Sequence, residues 1–543
     1  MRSYDPYVGG ADLRVRETVH CLRASVMLRD FLPSLVLKRE LDRGRRHDAE
    51  NHPSVVARCG VADEAIVAEA IKAAAAAAPE WAAYPLDVRM RLVGDLHDQV
   101  RDRHDEFVDV LIAEGHPRLL AEWEVACVLQ ESCAQTREWV RGELHREYRS
   151  QSRRLALIRR PDGVVAFSPP RNAAAANSAL AIYALAAGNT LVMKAPRSTP
   201  LGVMYFWRDV VAPLLDEIGA PPGTLNIVCG NPSAIIRQWL DSPLIDDIFF
   251  MGSTEQGLPL GVEAARRNKK VILELSGNDG VVVWRDADLD RAAEALTECF
   301  YGSGQICMVP KHAVVHPAVA EELLDRLRVL AGRIRPGYPE DAGTLLSPVV
   351  KSDMYFAYLN DAVAAGAAVL CGGNRIDVDG QRSTTGAFIE PTVLRLDGLA
   401  RASRVQAVIE ETFFPLLPVV VPEPDDDRSL LGRIIDFVNS NRYGLRNSLW
   451  AADSAVIEEF TKRVTNCGQV KVNDSHIGCV PYLASHGGTG LSSDSCGELN
   501  YVALRTSHLQ GISVGTGIDP GRAVFESPLR PMSMPTGPGG VRG

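Results

Sequence analysis

The chain has 543 residues, with 58 Lys and Arg against 68 Asp and Glu, and a formal net charge of −10 at pH 7. At 46% hydrophobic and 23% charged residues, the composition excludes a disordered, collagen-like or coiled-coil chain. The slight excess of acid argues against a broad nucleic-acid surface, because phosphate contacts require clustered Lys and Arg. We therefore expect a soluble globular protein of two or three lobes.

Cysteine and histidine spacing predicts neither a metal site nor a secreted disulfide framework. The 11 Cys include no Cys-x-x-Cys pair, and His47, His486 and His508 stand far apart. We expect most thiols to be buried, small, apolar side chains.

The amino terminus has the features of neither a signal peptide nor a mitochondrial transit peptide. Charged residues interrupt each of its apolar runs, namely Arg14, Arg16, Arg23, Arg29 and Asp30. Its acidic residues are also too frequent for a transit peptide. We expect a cytoplasmic protein.

One long uncharged segment could be mistaken for a membrane span. Residues 172–193 carry no charge, but the segment is dominated by Ala and interrupted by Asn and Gly. We interpret it as a buried helix that runs into a buried strand.

The chain begins with a segment that shows no clear period. Residues 1–60 are Arg-rich and are expected to be irregular, as an N-terminal extension on the surface or partly disordered. Apolar residues then recur at helical spacing from Asp63 to Ala77 and from Asp87 to Glu114.

From Val164 onward, short apolar strands alternate with helical stretches. The alternation predicts a mainly parallel sheet with helices on both faces, which binds ligands at the carboxyl ends of its strands. The predicted strands are VVAF (164–167), TLVMK (190–194), TLNIVCG (224–230), DIFFMGS (247–253) and KVILEL (270–275). A second α/β lobe is predicted from VVVW (281–284), HAVVH (312–316) and PLLPVVV (415–421). The Pro- and Gly-rich end from Ser527 predicts a disordered tail.

The segment FFMGSTEQG (249–257) is the strongest local signal for a nucleotide. Gly252 permits a close backbone approach, and Ser253 can cap a helix whose amide groups face an anion. Alone, the pattern is also that of an ordinary strand-to-helix turn, and no suitable GxGxxG fingerprint accompanies it.

A second signal is Cys307, which lies among glycines in YGSGQICM (301–308). Glycines allow substrate and backbone to approach the sulfur, although a lone Cys is usually structural. Glu274 ends an apolar strand 33 residues upstream and is either a solvated strand end or a base beside a pocket.

Seven motifs in this order resemble the aldehyde dehydrogenase superfamily over roughly Asp63 to Ser513. They are VVAFSPPRN, GNTLVMKAPRSTP, PPGTLNIVCG, FFMGSTEQG, LELSGND, GQIC and EETFFP. The resemblance implies an α/β fold with a Rossmann-like nucleotide-binding domain, an α/β catalytic domain and a small oligomerisation hairpin. The implied boundaries are 1–60 for the extension, 61–142 and 161–274 for nucleotide binding, 275–480 for catalysis, 143–160 and 498–514 for oligomerisation, and 515–543 for the tail.

The resemblance also implies the reaction and its residues. Cys307 is expected to attack the aldehyde, Asn172 to hold the oxyanion, and Glu274 to activate the water that hydrolyses the thioester to a carboxylic acid. NAD or NADP would be held by Lys194, Arg197, Gly230, Gly252, Ser253, Glu411 and Phe413. The resemblance requires no metal. Partners are expected to be the aldehyde and further copies of the chain, as a homodimer or homotetramer, without nucleic acid or membrane.

Departures from the family pattern suggest the cofactor and the substrate. Arg197 stands where the family usually has an acid, and it would complement a 2′-phosphate, which suggests that NADP is accepted. Arg171 replaces the usual tryptophan, and the helix AAAANSAL (173–180) carries smaller side chains than usual. We therefore expect a wide channel for a bulky or aromatic aldehyde.

Other departures concern the flanks of the motifs. Ser276 and Asn278 replace Gly and Lys in LELSGND, and Phe414 replaces Gly in EETFFP. Two alternatives to hydrolytic oxidation therefore remain. One is acyl transfer to coenzyme A, against which Glu274 argues, and the other is a catalytically weak protein that binds nucleotide or serves in assembly.

Overall fold

Helices and strands alternate along most of the protein in a computed structural model, which describes residues 1–149 and 153–525. Two large sheets, each with a helix layer, form the bulk of these residues. The α/β fold class is confirmed.

The prediction that residues 1–60 are irregular is wrong. Five short strands and two helices form there, and β5 pairs with both β1 and β4. These strands have two to six residues, which is too short to show a period in the sequence. The elements are β1 Arg2–Tyr4, β2 Tyr7–Val8, β3 Ala11–Asp12, β4 Thr18–Leu22, α1 Ala24–Arg29, α2 Phe31–Asp42, a 3-10 turn Ala49–Asn51 and β5 Val55–Gly60.

A helical layer and a hairpin follow. Asp63 caps the first helix by accepting a hydrogen bond from the Ile66 N–H at 2.9 Å. The second predicted helical stretch is divided at Arg103 into two helices. The elements are α3 Glu64–Ala83, α4 Leu86–Asp102, α5 His104–Glu114, α6 Arg118–Glu131, α7 Ala134–Leu144, β6 His145–Arg149 and β7 Arg153–Pro161.

The first large sheet contains all five strands predicted for it. Its order is β12-β11-β8-β9-β10-β2-β3 among the described residues, and β8 to β12 run parallel. Their carboxyl ends therefore meet at one edge. The elements are β8 Val164–Ser168, α8 Ala174–Ala179, α9 Ile182–Ala187, β9 Thr190–Ala195, α10 Leu201–Met204, a π-helix Tyr205–Val211, α11 Ala212–Glu217, β10 Leu225–Cys229, α12 Pro232–Asp241, β11 Asp247–Met251, α13 Thr254–Arg266 and β12 Lys270–Glu274.

The second large sheet has the order β15-β18-β19-β14-β13-β21-β22, in which only the edge strand β15 runs antiparallel to its neighbour in the described chain. Its three predicted strands are present as β13, β14 and β19. The elements are β13 Asp279–Val283, α14 Leu289–Thr297, a 3-10 segment Glu298–Gly304, β14 Pro310–Val315, a 3-10 turn Pro317–Val319, α15 Ala320–Ala331, α16 Ser352–Ala364, β15 Ala368–Cys371, β16 Arg375–Ile376, β17 Phe388–Ile389, β18 Thr392–Asp397, α17 Leu399–Ala402, α18 Gln406–Ile409, β19 Leu416–Val421, α19 Asp427–Asn439, β20 Tyr443–Gly444, β21 Arg446–Trp450, α20 Ser454–Arg463 and β22 Gln469–Val472.

The last elements return to the hairpin of β6 and β7. They are β23 Thr489–Gly490, α21 Val502–Arg505, β24 Ser507–Gly515 and α22 Pro520–Ala523. β24 pairs antiparallel with β7, so the two segments assigned to oligomerisation share one sheet, with the order β24-β7-β6. Most of the predicted disordered tail, from residue 526 onward, lies outside the described residues.

The uncharged segment 172–193 lies in the core, as predicted. It forms α8, α9 and most of β9, and Leu185 and Val192 are fully buried. Within the described chain, no helix is long and apolar enough to cross a membrane.

Candidate active site

Glu274 lies at the carboxyl end of β12 with its carboxylate buried and held on both oxygens. Oε1 accepts a hydrogen bond from Asn500 Nδ2 at 2.5 Å, and Oε2 accepts one from the Gly487 N–H at 3.0 Å. Burial raises the pKa of Glu274 to about 8, although both hydrogen bonds favour the ionised form. This carboxylate therefore has a pKa suited to a general base near neutral pH.

A late segment of the chain orients Asn500. Arg505 donates one hydrogen bond to Asn500 Oδ1 and another to Asp494 Oδ2, the latter at 2.8 Å. Asp494 also accepts from the Leu273 N–H, in the strand that ends at Glu274. Sequence analysis missed these residues, because the loop 485–500 resembles the family only loosely.

The Cys307 loop follows a run of left-handed backbone. Gly302, Ser303 and Gly304 have φ of 56°, 58° and 72°, and a Cβ at Gly304 would lie 2.4 Å from the Phe414 carbonyl oxygen. A Cβ at Gly277 would lie 2.3 Å from the Cys307 carbonyl oxygen. The glycine of LELSGND therefore lets the Glu274 segment approach the cysteine loop.

Lys311 lies in the core and forms hydrogen bonds with both the cysteine loop and the Glu411 loop. Its buried ammonium donates to the carbonyl oxygens of Gly304, Ile306 and Thr412 at 2.9, 2.8 and 2.7 Å. The cysteine loop and the Glu411 loop are thereby joined. Sequence analysis did not identify this role, because Lys311 lies on β14 and outside the seven motifs.

The Cys307 thiol is protonated at neutral pH in this environment. Burial, the carboxylates of Glu411 and Asp279, and more weakly Glu274, raise its pKa to about 12, against the opposing charge of Lys311. Attack on a carbonyl therefore requires a base to remove the proton. Glu274 is close enough to influence the thiol electrostatically.

Asn172 lines the same cleft as Cys307. Ala173 next to it is left-handed at φ 47°, and α8 begins directly afterwards. The side-chain amide of Asn172 makes no hydrogen bond to any described residue, which leaves its N–H groups free for a ligand in the cleft.

The cleft contains about 640 Å³ of space free of atoms, including its open mouth. Five side chains from the segment 173–180 lie on its wall, namely Ala173, Ala176, Asn177, Ala179 and Leu180. Ala174 and Ala175 instead pack in the core. The remaining wall comprises Leu96, Trp123, Cys127, Val128, Glu131, Ser132, Asn172, Ile182, Tyr183, Ile306, Cys307, Met308, Cys479, Ser485 and His486.

Cys127 and Cys479 form a disulfide on the wall of this cleft, with Cα atoms 5.5 Å apart. The bond joins α6 to a loop 352 residues later. The sequence contains no spacing signal for this pair, because the two cysteines meet only through the tertiary fold.

The carboxyl edge of the first sheet holds the residues expected to bind the cofactor. Lys194 ends β9 with its side chain largely buried, and burial lowers the pKa of its ammonium. No described residue forms a hydrogen bond or ion pair with it. Ser253 precedes α13 without using its side chain as a cap. Both polar groups are thus free for hydroxyl or phosphate oxygens, which fits a dinucleotide.

The two glycines of this edge face protein atoms. A Cβ at Gly230 would lie 2.9 Å from the Ala62 carbonyl oxygen, and one at Gly252 would lie 2.7 Å from the Phe250 ring. A side chain at either position would require its neighbours to shift.

Arg197 is engaged by the N-terminal segment. Its guanidinium donates to Glu17 Oε1 at 2.7 Å, and both side chains are partly exposed. The Glu17 carbonyl accepts from the Val61 N–H, and Ala62 N–H donates to the Cys229 carbonyl at the end of β10. The N-terminal segment thus places a carboxylate where a 2′-phosphate is expected.

Glu411 and Phe413 lie on the loop that Lys311 joins to the cysteine loop, and the Glu411 carboxylate acts electrostatically on the Cys307 sulfur. Glu411 Oε1 accepts from the Gly277 N–H at 3.0 Å, and burial raises the pKa of its carboxyl group. The ammonium groups of Lys311 and Lys351 lie 5.5 and 5.8 Å from the Phe413 ring centre. In the part of the chain that the structure describes, no group of three His, Cys, Asp or Glu could hold a metal ion.

Proteins of known sequence and structure resemble this chain in sequence and in fold. The model of the aldehyde dehydrogenase family matches residues 46–504. The NADP(+) succinate-semialdehyde dehydrogenase GabD of Escherichia coli is 31% identical over 71% of this chain and 77% of that protein. A glutarate-semialdehyde dehydrogenase of Pseudomonas aeruginosa is 28% identical over 82% and 89%. The crystal structure of an NAD-dependent aldehyde dehydrogenase from Sinorhizobium meliloti superposes with a TM-score of 0.78 at 23% identity, covering 96% of each chain.

Proposed function

The chain belongs to the aldehyde dehydrogenase family, and on this premise we propose that it oxidises a bulky or aromatic aldehyde to the carboxylic acid with NAD or NADP. The observation that carries the proposal is the placement of Cys307 and Asn172 on one cleft wall, with the buried Glu274 in electrostatic reach of the sulfur.

Cys307 is the nucleophile. Because its thiol is protonated at neutral pH, Glu274 takes the proton as the sulfur bonds to the aldehyde carbon. The side-chain amide of Asn172 and the Cys307 N–H donate to the oxyanion that forms. Preorganised donors of this kind typically contribute about 3–4 kcal/mol each.

The residues at the sheet edge hold the cofactor. Lys194 binds the adenosine ribose, Ser253 and the start of α13 bind the pyrophosphate, and Glu411 binds the nicotinamide ribose beside Phe413. When bound there, the dinucleotide would supply an oxidised nicotinamide ring able to accept a hydride. Cys307 then carries the acyl group as a thioester.

Glu274 releases the thiol proton to solvent and, ionised again, takes a proton from water, which attacks the thioester carbon. The carbon–sulfur bond breaks, the acid leaves, and the proton returns to the Cys307 sulfur. The presence of Glu274 as a base distinguishes this scheme from acyl transfer to coenzyme A, in which no hydrolytic water is needed.

The cofactor proposal concerns the pair of Arg197 and Glu17. Arg197 complements a 2′-phosphate, so NADP is accepted. Glu17 competes with the phosphate for the same guanidinium and can itself accept from a ribose 2′-hydroxyl, which supports NAD as a second cofactor.

The sheet of β24, β7 and β6 is proposed as the contact between subunits of a homodimer or homotetramer. It presents exposed apolar side chains, including Leu509 and Val514. Light scattering after size-exclusion chromatography tests this, and a monomer at micromolar concentration would contradict it.

The reaction is tested by reduced-nicotinamide absorbance with NAD or NADP across short and aromatic aldehydes. Wild-type enzyme should turn over bulky aldehydes faster than acetaldehyde, and Cys307→Ser should abolish turnover. Glu274→Gln should show neither a burst of reduced nicotinamide nor steady turnover at neutral pH, because this residue both removes the thiol proton and activates the hydrolytic water. Faster turnover of acetaldehyde would refute the substrate class, and silence with intact cofactor binding would indicate a catalytically weak protein.

A further inference from the structure

The cleft wall carries a polar cluster formed by Glu131, Ser485 and His486. The cluster lies on the end of α6 and on the late loop, and the catalytic scheme does not use it. Beside it the wall is apolar, with Leu96, Val128 and Ile182. Polar groups on an apolar wall fix the orientation of a ligand.

The hydrogen-bond directions within the cluster can be assigned. The Glu131 carboxyl group is within hydrogen-bonding reach of the Ser485 hydroxyl and backbone N–H, and burial raises its pKa to about 7. In its ionised form Glu131 can only accept, so the single Ser485 hydroxyl hydrogen goes to it and Ser485 Oγ accepts from His486 Nδ1, which lies at 2.7 Å. The His486 ring is neutral, since burial and the charge of Arg446 lower its pKa to about 3.

A neutral imidazole that is protonated on Nδ1 has a bare lone pair on Nε2. This atom is buried and has no partner among the described residues, while the His486 side chain is only 5% exposed and borders the cleft. An unsatisfied buried acceptor costs free energy until a donor meets it. The Glu131 carboxyl adds further acceptor capacity beside it.

The residues around His486 Nε2 indicate the charge of the ligand group that would donate a hydrogen bond to it. Among the described residues on the cleft wall there is no Lys or Arg, so a second carboxylate on the substrate would find no counter-charge there. A cation would meet the Glu131 carboxyl group, but the positive charge of Arg446 acts on both His486 and Glu131 and opposes a second positive charge there. An uncharged donor remains.

We infer that the substrate, under the function proposed above, carries a hydroxyl group remote from its aldehyde, and that His486 Nε2 and Glu131 bind this hydroxyl. The substrate class is thus a hydroxyl-bearing bulky or aromatic aldehyde. A dicarboxylic semialdehyde does not fit this cleft.

Matched aldehydes test the inference. Values of kcat/KM are compared for 4-hydroxybenzaldehyde against benzaldehyde, and for 4-hydroxycinnamaldehyde against cinnamaldehyde, so that two lengths are sampled. Two further aldehydes serve as comparisons: 4-formylbenzoate carries a negative charge in place of the hydroxyl group, and 4-aminobenzaldehyde carries an amino group. A hydroxyl preference of about tenfold or more is expected in at least one pair, with the anion the poorest substrate.

Variants assign the preference to the cluster. In His486→Phe the ratio of kcat/KM for the hydroxylated aldehyde over its parent should fall below about threefold, whatever the absolute rates, and His486→Gln, which keeps an acceptor, should restore part of this ratio. Turnover without any hydroxyl preference, or a preference unchanged in His486→Phe, would overturn this inference alone. Silence toward every aldehyde would overturn the proposed function as well.

Discussion

Replacing Asn500 by Ala tests whether this side chain sets the basicity of Glu274. Asn500 Nδ2 donates to one carboxylate oxygen at 2.5 Å and so favours the ionised form. Loss of this hydrogen bond raises the pKa of Glu274 further above its value of about 8. The ascending limb of the pH–rate profile for kcat should move to higher pH.

The size of the shift follows from the bond. A hydrogen bond to a charged group contributes about 1.5–3 kcal/mol, which corresponds to about 1–2 pKa units. At pH 8 about half of the wild-type carboxylate is ionised. In the variant the ionised fraction, and with it the rate of thioester hydrolysis, should be about fivefold to fiftyfold lower.

Two measurements separate this effect from general damage. Stopped-flow assays at pH 8 should show that the first turnover of Asn500→Ala is slowed along with the steady state, and that higher pH restores both, because ionised Glu274 serves thiol deprotonation and hydrolysis alike. Asn226→Ala is the matched control, since Asn226 is also buried and donates to the Gly223 carbonyl within the first sheet. It should lose stability without any shift of the pH profile. A profile for Asn500→Ala that coincides with wild type would refute the reasoning.

Three further predictions concern other contacts. Glu17→Gln should raise the ratio of kcat/KM for NADP over NAD by about twofold to fivefold, because the exposed pair with Arg197 contributes at most about 1 kcal/mol; an unchanged ratio would contradict the competition. Lys311→Met should lower the free energy of unfolding by about 3–5 kcal/mol, as three buried carbonyls lose their donor, and a urea titration that shows less than about 1 kcal/mol would count against this role. Cys479→Ser, or reduction of the bond to Cys127, should lower the free energy of unfolding by about 2–4 kcal/mol in oxidised protein, and identical unfolding curves with and without reductant would exclude the disulfide from solution.

The sequence by itself determined the buried parallel strands β8 to β14 and β19, and it supplied the candidates for the reacting groups. Buried parallel strands are continuous apolar runs, so they can be predicted from the sequence without knowledge of the strands beside them. Glu274 stands directly at the end of such a strand, and the glycines before Cys307 mark the turn that presents it. These are local features, encoded within a few residues of the chain.

The tertiary structure alone decided which distant segments meet at the site. Asn500 reaches Glu274 across 226 positions, Arg197 reaches Glu17 across 180, and the Cys127–Cys479 bond spans 352. Periodicity reports which face of an element is buried but carries no information on which loops converge at a sheet edge. Residues 1–60 were misjudged for a related reason, because their short strands are stable only when paired with each other and with β10.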